Sequence, residues 1–280
     1  MYRMTVGVNT VASWMLAIIC MKSVHGDEIP KLLIANDGPT VLGAKATFTA
    51  TLSFSNHTLD TSLNYDAGQK FVYIWTRKVC GRTKSVTMKE DYTCTLVQPY
   101  NCPRDVGLQT VSLTVKADTF LFKPFVARNT TTIQVTNSIN GNVTVSNGVS
   151  CNYTGGLTTC DVVATNKSTN MMTHIHDPSD YFKGATLIFH WMFGDGVNAT
   201  HINQPAISHI YNASGHYRIA VNVTAIFSDD VHGRQSKEYK TGILNHHLHT
   251  MDTIKQLSIQ GQNELKAGEE ASYNISCHAR

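Results

Sequence analysis

The chain has 280 residues and a formal net charge of only +3, from 23 Lys and Arg against 20 Asp and Glu. Charged residues make up 15% of the chain, below the roughly 25% that is usual in soluble domains. No run of Lys or Arg indicates binding to nucleic acid or to an anionic membrane surface. The length allows two domains of about 100 residues each, with connections between them.

Residues 1–26 have the features of a secretory signal peptide. Apolar residues dominate 11–21, which is the length of a signal core and shorter than the roughly 20 residues that cross a bilayer. Arg3 supplies a positive charge before this core, and short residues precede Asp27. We expect cleavage before Asp27 and entry into the secretory pathway. An uncleaved anchor is disfavoured because Lys22 ends the apolar run.

Acceptor sequences for N-glycosylation support the same route. Nine Asn-x-Ser/Thr sequences are spread along the chain after the predicted signal peptide. They begin at Asn56, Asn129, Asn142, Asn152, Asn166, Asn198, Asn212, Asn222 and Asn274.

Six cysteines remain after the signal peptide, and an even number in an oxidising compartment indicates disulfides. Cys151 and Cys160 flank a Thr-Gly-Gly turn, which favours a local hairpin disulfide. Of Cys80, Cys94 and Cys102, one must pair elsewhere or stay free, and Cys277 is a further candidate partner.

Residues 27–136 are predicted to form an immunoglobulin-like β-sandwich, the first domain of an all-β chain. Alternating β-branched and aromatic residues bounded by Gly, Asn, Asp and Pro predict its strands. These strands cover 45–54, 71–76, 108–115 and 129–135. Trp75 is expected to be a buried packing residue. The stretch that contains Cys80, Cys94 and Cys102 is interpreted as irregular.

A second sandwich is predicted over 137–250. Its first residues, 137–150, contain two Asn/Gly turn signals and form the boundary with the first domain. Its strands are predicted at 172–176, 186–193, 207–211 and 216–227. Residues 251–280 are interpreted as a linker and the first two strands of a further β module. Two strands cannot bury a core by themselves, so we expect this module to be incomplete and the chain to be a fragment.

The strongest motif lies in the second domain. Its pattern is Trp-x-Phe-Gly-Asp-Gly, followed by His-x-Tyr and Gly-x-Tyr. The residues concerned are Trp191, Phe193, Gly194, Asp195, Gly196, His209, Tyr211, Gly215 and Tyr217. This pattern resembles the PKD domain, an immunoglobulin-like sandwich. We expect structural roles, with the four aromatic residues in the core and Gly-Asp-Gly in a tight turn.

Two further segments are similar to the family of glycoprotein NMB and premelanosome protein. They are residues 175–182, Ile-His-Asp-Pro-Ser-Asp-Tyr-Phe, and residues 36–44, Asn-Asp-Gly-Pro-Thr-Val-Leu-Gly-Ala. The resemblance implies a type I single-pass glycoprotein of the cell surface or of endosomal or melanosomal compartments, whose membrane span lies outside this chain. The Arg-Gly-Asp tripeptide of glycoprotein NMB is absent from the sequence.

The sequence contains no nucleophile elbow, zinc-protease helix or phosphate loop, so we predict no enzymatic activity, no cofactor and no metal. His246, His247 and His249 cluster near His232, and His174 and His176 alternate on a strand. Such groups can bind a metal or sense pH, although surface histidines are the favoured interpretation.

Two function classes remain open. The first is an ectodomain that binds or adheres to extracellular or lumenal proteins or glycans. The second is a structural or cargo glycoprotein of an endosome-derived organelle. A fully secreted binding domain is a further alternative, and a localisation signal beyond a membrane span would separate the first two.

Overall fold

The computed structural model describes residues 30–54, 70–119, 123–152, 159–231, 234–261 and 272–279, with single positions 264, 268 and 270. The predicted signal peptide and Asn56 lie outside these residues. Within them the fold is all-β, and Pro103–Asp105 is the one helical element, a single 3₁₀ turn. No helix in the described part is long and apolar enough to cross a bilayer.

The first unit is a sandwich of two sheets, with strand orders β1-β3-β6 and β2-β8-β7-β4-β5. Its strands are β1 (Lys31–Asn36), β2 (Thr40–Val41), β3 (Lys45–Ser53), β4 (Phe71–Val79), β5 (Arg82–Glu90), β6 (Thr93–Pro99), β7 (Gly107–Ala117) and β8 (Phe125–Thr136). Trp75 is fully buried between the sheets and its indole N–H donates to Cys94 Sγ at 3.4 Å. The predicted immunoglobulin-like architecture is confirmed.

The stretch interpreted as irregular is regular. It contains β5 and β6, and β6 alternates strictly between exposed and buried positions. Cys94, Leu96 and Gln98 face the core of the first unit. The prediction was wrong because a cysteine and a glutamine occupy core positions, so the apolar alternation of period two was hidden.

The second unit is also a two-sheet sandwich, with strand orders β10-β11-β17-β16-β13-β14 and β15-β12-β9. Its strands are β9 (Gly141–Val145), β10 (Val149–Asn152), β11 (Thr159–Ala164), β12 (Ser168–Ile175), β13 (Thr186–Met192), β14 (Asn198–Ile202), β15 (Ala206–Ile210), β16 (Gly215–Val231) and β17 (Arg234–Met251). Strand β17 pairs with the whole length of β16. Sequence patterns did not predict β17, because many polar residues and three histidines interrupt its apolar alternation.

The last two strands, β18 (Ile254–Gly261) and β19 (Tyr273–Ala279), form a separate antiparallel sheet. They pair with no other strand of the described chain. Their apolar side chains Leu257, Ile259 and Ile275 are about three-fifths exposed. That this hairpin begins a further module stays a prediction.

The two units meet where residues 36–44 contact residues 175–182. Val41 and Ala44, from the first part of the chain, are buried in the second core together with Phe182. His176 Nε2 donates to the backbone carbonyl of Asp37 at 2.6 Å. The two segments that carry the resemblance to the glycoprotein NMB family therefore pack against each other, although some 130 residues separate them.

The turn before Tyr181 is held by Asp177. Its two carboxylate oxygens accept the backbone N–H groups of Tyr181 at 2.7 Å and Phe182 at 2.8 Å. This turn places the Tyr181 ring over Gly43, where the backbone has a φ of +102°. A Cβ on Gly43 would lie 2.5 Å from the Tyr181 hydroxyl oxygen. Glycine is therefore required at this contact both by its φ and by the space available.

We predict that Gly43→Ala destabilises the protein more than Gly107→Ala. Both positions have a positive φ, but a Cβ on Gly107 meets nothing within 4 Å. Both variants carry the backbone cost of about 1–2 kcal/mol, and Gly43→Ala adds overpacking of about 1–3 kcal/mol. Chemical denaturation measures the difference. Tyr181→Phe in the Gly43→Ala background should restore part of it, and equal losses at the two glycines would contradict the contact.

Candidate functional site

The PKD-type motif begins at the end of β13. Trp191 and Phe193 alternate into the second core and are buried, with ring centroids 6.3 Å apart and nearly parallel planes. Since period-two alternation places every second side chain on one face, Met192 between them points away from this core. These two rings form one wall of the motif.

The imidazole of His209 lies against the ring of Phe193, with centroids 4.0 Å apart and an interplanar angle of 3°. On its other side, His209 meets the edge of Tyr211 at 4.7 Å. Tyr211 is buried, and its hydroxyl donates to the Phe193 carbonyl at 3.1 Å. His209 thus joins β15 of the smaller sheet to the end of β13 in the larger sheet.

Tyr217 differs from the prediction that it is a core residue. It is half-buried, and its ring packs on Tyr211 with centroids 4.5 Å apart. Its hydroxyl donates to the Ala213 carbonyl at 3.1 Å. The reason is its place near the start of β16, where the ring covers the end of the core while the hydroxyl reaches the neighbouring loop.

Asp195 closes the turn of the motif. Its Oδ1 accepts the backbone N–H of Val197 at 3.0 Å, and its Oδ2 accepts Nε2–H of His209 at 2.6 Å. Gly194 precedes it with a φ of +87°, and a Cβ there would lie 2.8 Å from the Arg218 carbonyl oxygen. The polar atoms of Asp195 are therefore committed to the fold.

Burial of the Asp195 carboxyl opposes its ionisation, but the hydrogen bonds from His209 and from the Val197 N–H outweigh burial. They hold the pKa of Asp195 below its usual value. The ionised form is thus favoured by the folded state. This carboxylate therefore stabilises a turn.

The side of this sheet that faces away from the core carries exposed side chains. We call it the outer face: the even-numbered residues of β13, β14 and β16 and the odd-numbered residues of β17, which point away from the core. Ile202 is 64% exposed, Ile243 63% and Tyr239 55%. The register places Ile188 beside Ile202, and Ile226 beside Tyr239. Apolar side chains therefore recur on all four strands of this face.

The predicted glycosylation sites fall in different surroundings. Most described acceptors are exposed: Asn142, Asn166, Asn198, Asn212 and Asn274. Asn222 is half-buried on the outer face, between the fully buried Val221 and Val223. Asn129 is engaged, because its Nδ2 donates to the Leu32 carbonyl at 2.6 Å. The side chain of Asn152 lies outside the described part.

The cysteines divide into paired and free groups. Cys80 and Cys102 form a disulfide, while Cys94 is a buried thiol and Cys277 an exposed thiol. Burial raises the pKa of the Cys94 thiol, so it stays protonated and unreactive at neutral pH. Cys151 faces Cys160 across the β10–β11 pair, but their side chains are outside the described part, so that disulfide stays a prediction.

Cys80, Cys102 and Asp105 are the one described group of three whose potential metal-ligating atoms lie within 4.8 Å of one another. The two sulfurs are joined in the disulfide, and metal binding by cysteine requires thiolates. Asp105 Oδ1 accepts the backbone N–H of Cys80 at 2.8 Å. This group is therefore structural.

The predicted histidine cluster is divided by the sheet. His246 points inward and donates to Asp161 Oδ2 at 3.0 Å, while His247 and His249 lie on the outer face. His249 stacks on His216 of β16, with centroids 4.0 Å apart. Desolvation, and then the proximity of His216, lower the pKa of His249. Sequence patterns did not identify His216, since its closeness to His249 depends on the strand register.

The remaining predicted histidines lie elsewhere. His174 is exposed on β12 and hydrogen-bonds the Thr144 hydroxyl at 2.9 Å. His176 is hydrogen-bonded to the backbone carbonyl of Asp37 where the two units meet. His232 lies outside the described residues. The alternating pair His174 and His176 is therefore split between two separate contacts.

Comparison with known protein families matches residues 158–239 to the PKD domain. The match covers the motif residues and β13 to β16, within the predicted bounds 137–250. No curated protein matches the chain. No comparison ties it to the glycoprotein NMB family, so that narrower resemblance stays a prediction.

Three solved structures are among those to which the chain is similar. A 1.5-MDa bacterial ice-binding adhesin is 12% identical, covering 84% of this chain and 69% of that one, with a TM-score of 0.26. A Ca²⁺-stabilized ice-binding adhesin of an Antarctic bacterium is 12% identical over 81% and 51%, with a TM-score of 0.24. A marsupial T cell receptor is 11% identical over 84% and 77%, with a TM-score of 0.22. Residues 158–239 contain a PKD domain.

We predict that Trp191→Ala lowers the free energy of unfolding by about 3–5 kcal/mol, as for other large aromatic core deletions. The matched control is Ile243→Ala on the opposite face of the same sheet, where a surface substitution should change stability by about 0.5 kcal/mol or less. Urea denaturation measures both variants. An unchanged midpoint for Trp191→Ala would show that the motif does not support the core.

We predict that Asp195 makes stability depend on pH in acid. Because its pKa is lowered in the folded state, its contribution is complete above the unfolded value of about 3.9 and is lost as the pH falls through the folded value. Asp195→Asn should cost about 1 kcal/mol at pH 7, and this gap should narrow as the pH falls below the unfolded value. Urea denaturation from pH 7 to pH 3 tests it; a gap that is constant with pH would contradict the prediction.

Proposed function

We propose that the chain is a non-catalytic, N-glycosylated ectodomain of a cell-surface or endosomal glycoprotein that acts by binding a protein partner. One observation carries the proposal. The aromatic side chains of the PKD motif are buried in the core, while the outer face of the same sheet has exposed apolar side chains. Trp191, Phe193 and Tyr211 are buried, and both Asp195 oxygens accept hydrogen bonds. The motif thus acts as the scaffold, and the outer face is a surface that can make contacts.

The chemistry of the outer face favours a protein as partner. Ile202 and Tyr239 are each more than half exposed and lie beside Ile188 and Ile226, and neighbouring apolar side chains on the surface of a soluble protein mark interaction sites. Polar residues such as Asn198 and Thr200 border it, which matches the apolar centre and polar rim of protein interfaces. The alternative of an organelle cargo protein rests on the family resemblance alone.

The binding proposal is tested with Tyr239→Arg and Ile202→Arg. A charge at the centre of an apolar interface should weaken binding of the fluorescent, tetramerised chain to cultured cells at least about tenfold. Leu108→Arg is the matched control, because Leu108 is equally exposed but lies on β7 of the first unit. Melting temperatures should stay unchanged. Equal binding by all three variants would contradict the assignment of the outer face.

Treatment of the cells separates the classes of partner. Loss of binding after trypsin supports a protein partner. Binding that survives trypsin but is lost after removal of cell-surface glycans would contradict a protein partner and favour a glycan ligand.

We also predict that the secreted chain carries several N-glycans, and that Asn129, which is hydrogen-bonded, and Asn222, which is half-buried on the outer face, are not among the occupied acceptors. Peptide N-glycosidase should lower its apparent mass by several glycans, and site mapping should find the exposed acceptors, such as Asn142, occupied. Asn129→Gln should destabilise the fold by about 0.5–1.5 kcal/mol, because it moves the amide that donates to the Leu32 carbonyl. Asn142→Gln is the control and should be neutral. No mass shift after digestion would contradict the secretory route.

A further inference from the structure

We propose that His216, His247 and His249 form a binding site for a divalent transition-metal ion, with Zn²⁺ as the probe. The site lies on the outer face, at the end of the sheet where β16 begins and β17 ends. It does not depend on the proposed binding to a protein partner. None of its three residues belongs to the PKD motif.

The strand register brings these imidazoles together. His216 is the direct cross-strand neighbour of His249, and side chains in such pairs have Cβ atoms about 4.5–5.5 Å apart. The two rings are stacked with centroids 4.0 Å apart and an interplanar angle of 19°. His247 stands two residues earlier on β17, on the same face, roughly 6.7 Å along the strand. Two imidazoles are therefore in contact, and the third lies on the same face two residues away. The ligating atoms of all three do not lie within 4.8 Å of one another in this structure, so His247 must turn toward the pair to complete the site.

His216 and His247 are exposed and His249 is half-buried. The parallel strand β11 places Val162 beside His249, which gives the site one apolar wall. A zinc–imidazole bond is about 2.0–2.1 Å long, so two stacked rings must tilt edge-on for their lone pairs to converge on one ion. The tilt needs only side-chain rotation.

Three neutral imidazoles and one water are a known tetrahedral ligand set for zinc. Imidazole nitrogen also binds Cu²⁺ and Ni²⁺ but is a poor ligand for Ca²⁺ and Mg²⁺. The site should therefore select transition metals over the alkaline earths. Because the ligands must be deprotonated, binding should weaken as the pH falls from 7.5 to 5.5.

One neighbouring charge opposes the ion. Arg218 is the cross-strand neighbour of His247 on the outer face, so its guanidinium lies beside the third ligand. A positive charge near a divalent cation weakens binding. Arg218→Gln should therefore strengthen binding, which is the opposite of what the histidine variants should do.

The test is calorimetric titration of Zn²⁺ into the full chain, purified without a histidine tag at pH 7.5. We expect one site, at least about tenfold weaker in His216→Ala and in His249→Ala, since even outer-shell changes cost about 10–100-fold. Arg218→Gln should bind about two- to fivefold more tightly. His174→Ala, which removes an exposed histidine from β12, is the control and should bind as the unsubstituted chain does.

Two results would overturn the proposal. One is no saturable Zn²⁺ binding by the folded chain. The other is binding that His216→Ala and His249→Ala leave unchanged, which would place the ion elsewhere. Circular dichroism checks that each variant is folded. With Cu²⁺ as a second probe, electron paramagnetic resonance should show nitrogen hyperfine coupling that is lost in the double His216→Ala/His249→Ala variant.

Discussion

The packing of the His209 ring is the contact on which the second sandwich depends. The ring lies flat on Phe193 and meets the edge of Tyr211, while its Nε2–H is bound by Asp195. Because His209 belongs to the smaller sheet and Phe193 follows a strand of the larger one, this contact ties the two sheets together at one end. A polar ring can lie there only because a carboxylate satisfies its N–H. The Gly-Asp-Gly turn places the Asp195 carboxylate within hydrogen-bonding distance of His209.

The junction between the two units follows the same logic. Asp177 fixes a turn by accepting two backbone N–H groups, and the turn places Tyr181 over Gly43. Burial of Val41 and Ala44 in the second core makes the junction part of the packed interior. The two sandwiches are therefore joined by apolar packing as well as by the chain that links them.

This arrangement accounts for where function can reside. The motif residues are used in packing and turn formation, and in our proposals partners and ions contact the outer face of the larger sheet instead. That face combines exposed isoleucines near its middle with imidazoles near one end. Its two properties come from separate residues, so a substitution in one need not disturb the other.

Local patterns in the sequence determined the strand-rich fold, the Gly-Asp-Gly turn and the inward direction of Trp191 and Phe193, because period-two alternation and turn chemistry act over a few residues. Other features required the tertiary structure. The pairing of β17 with β16, the choice of Cys102 as the partner of Cys80, and the stacking of His216 on His249 all depend on register between distant residues. Register is set by how whole strands bury their apolar faces. The sequence by itself shows which residues are present, whereas only the packed sheets decide which of them become neighbours.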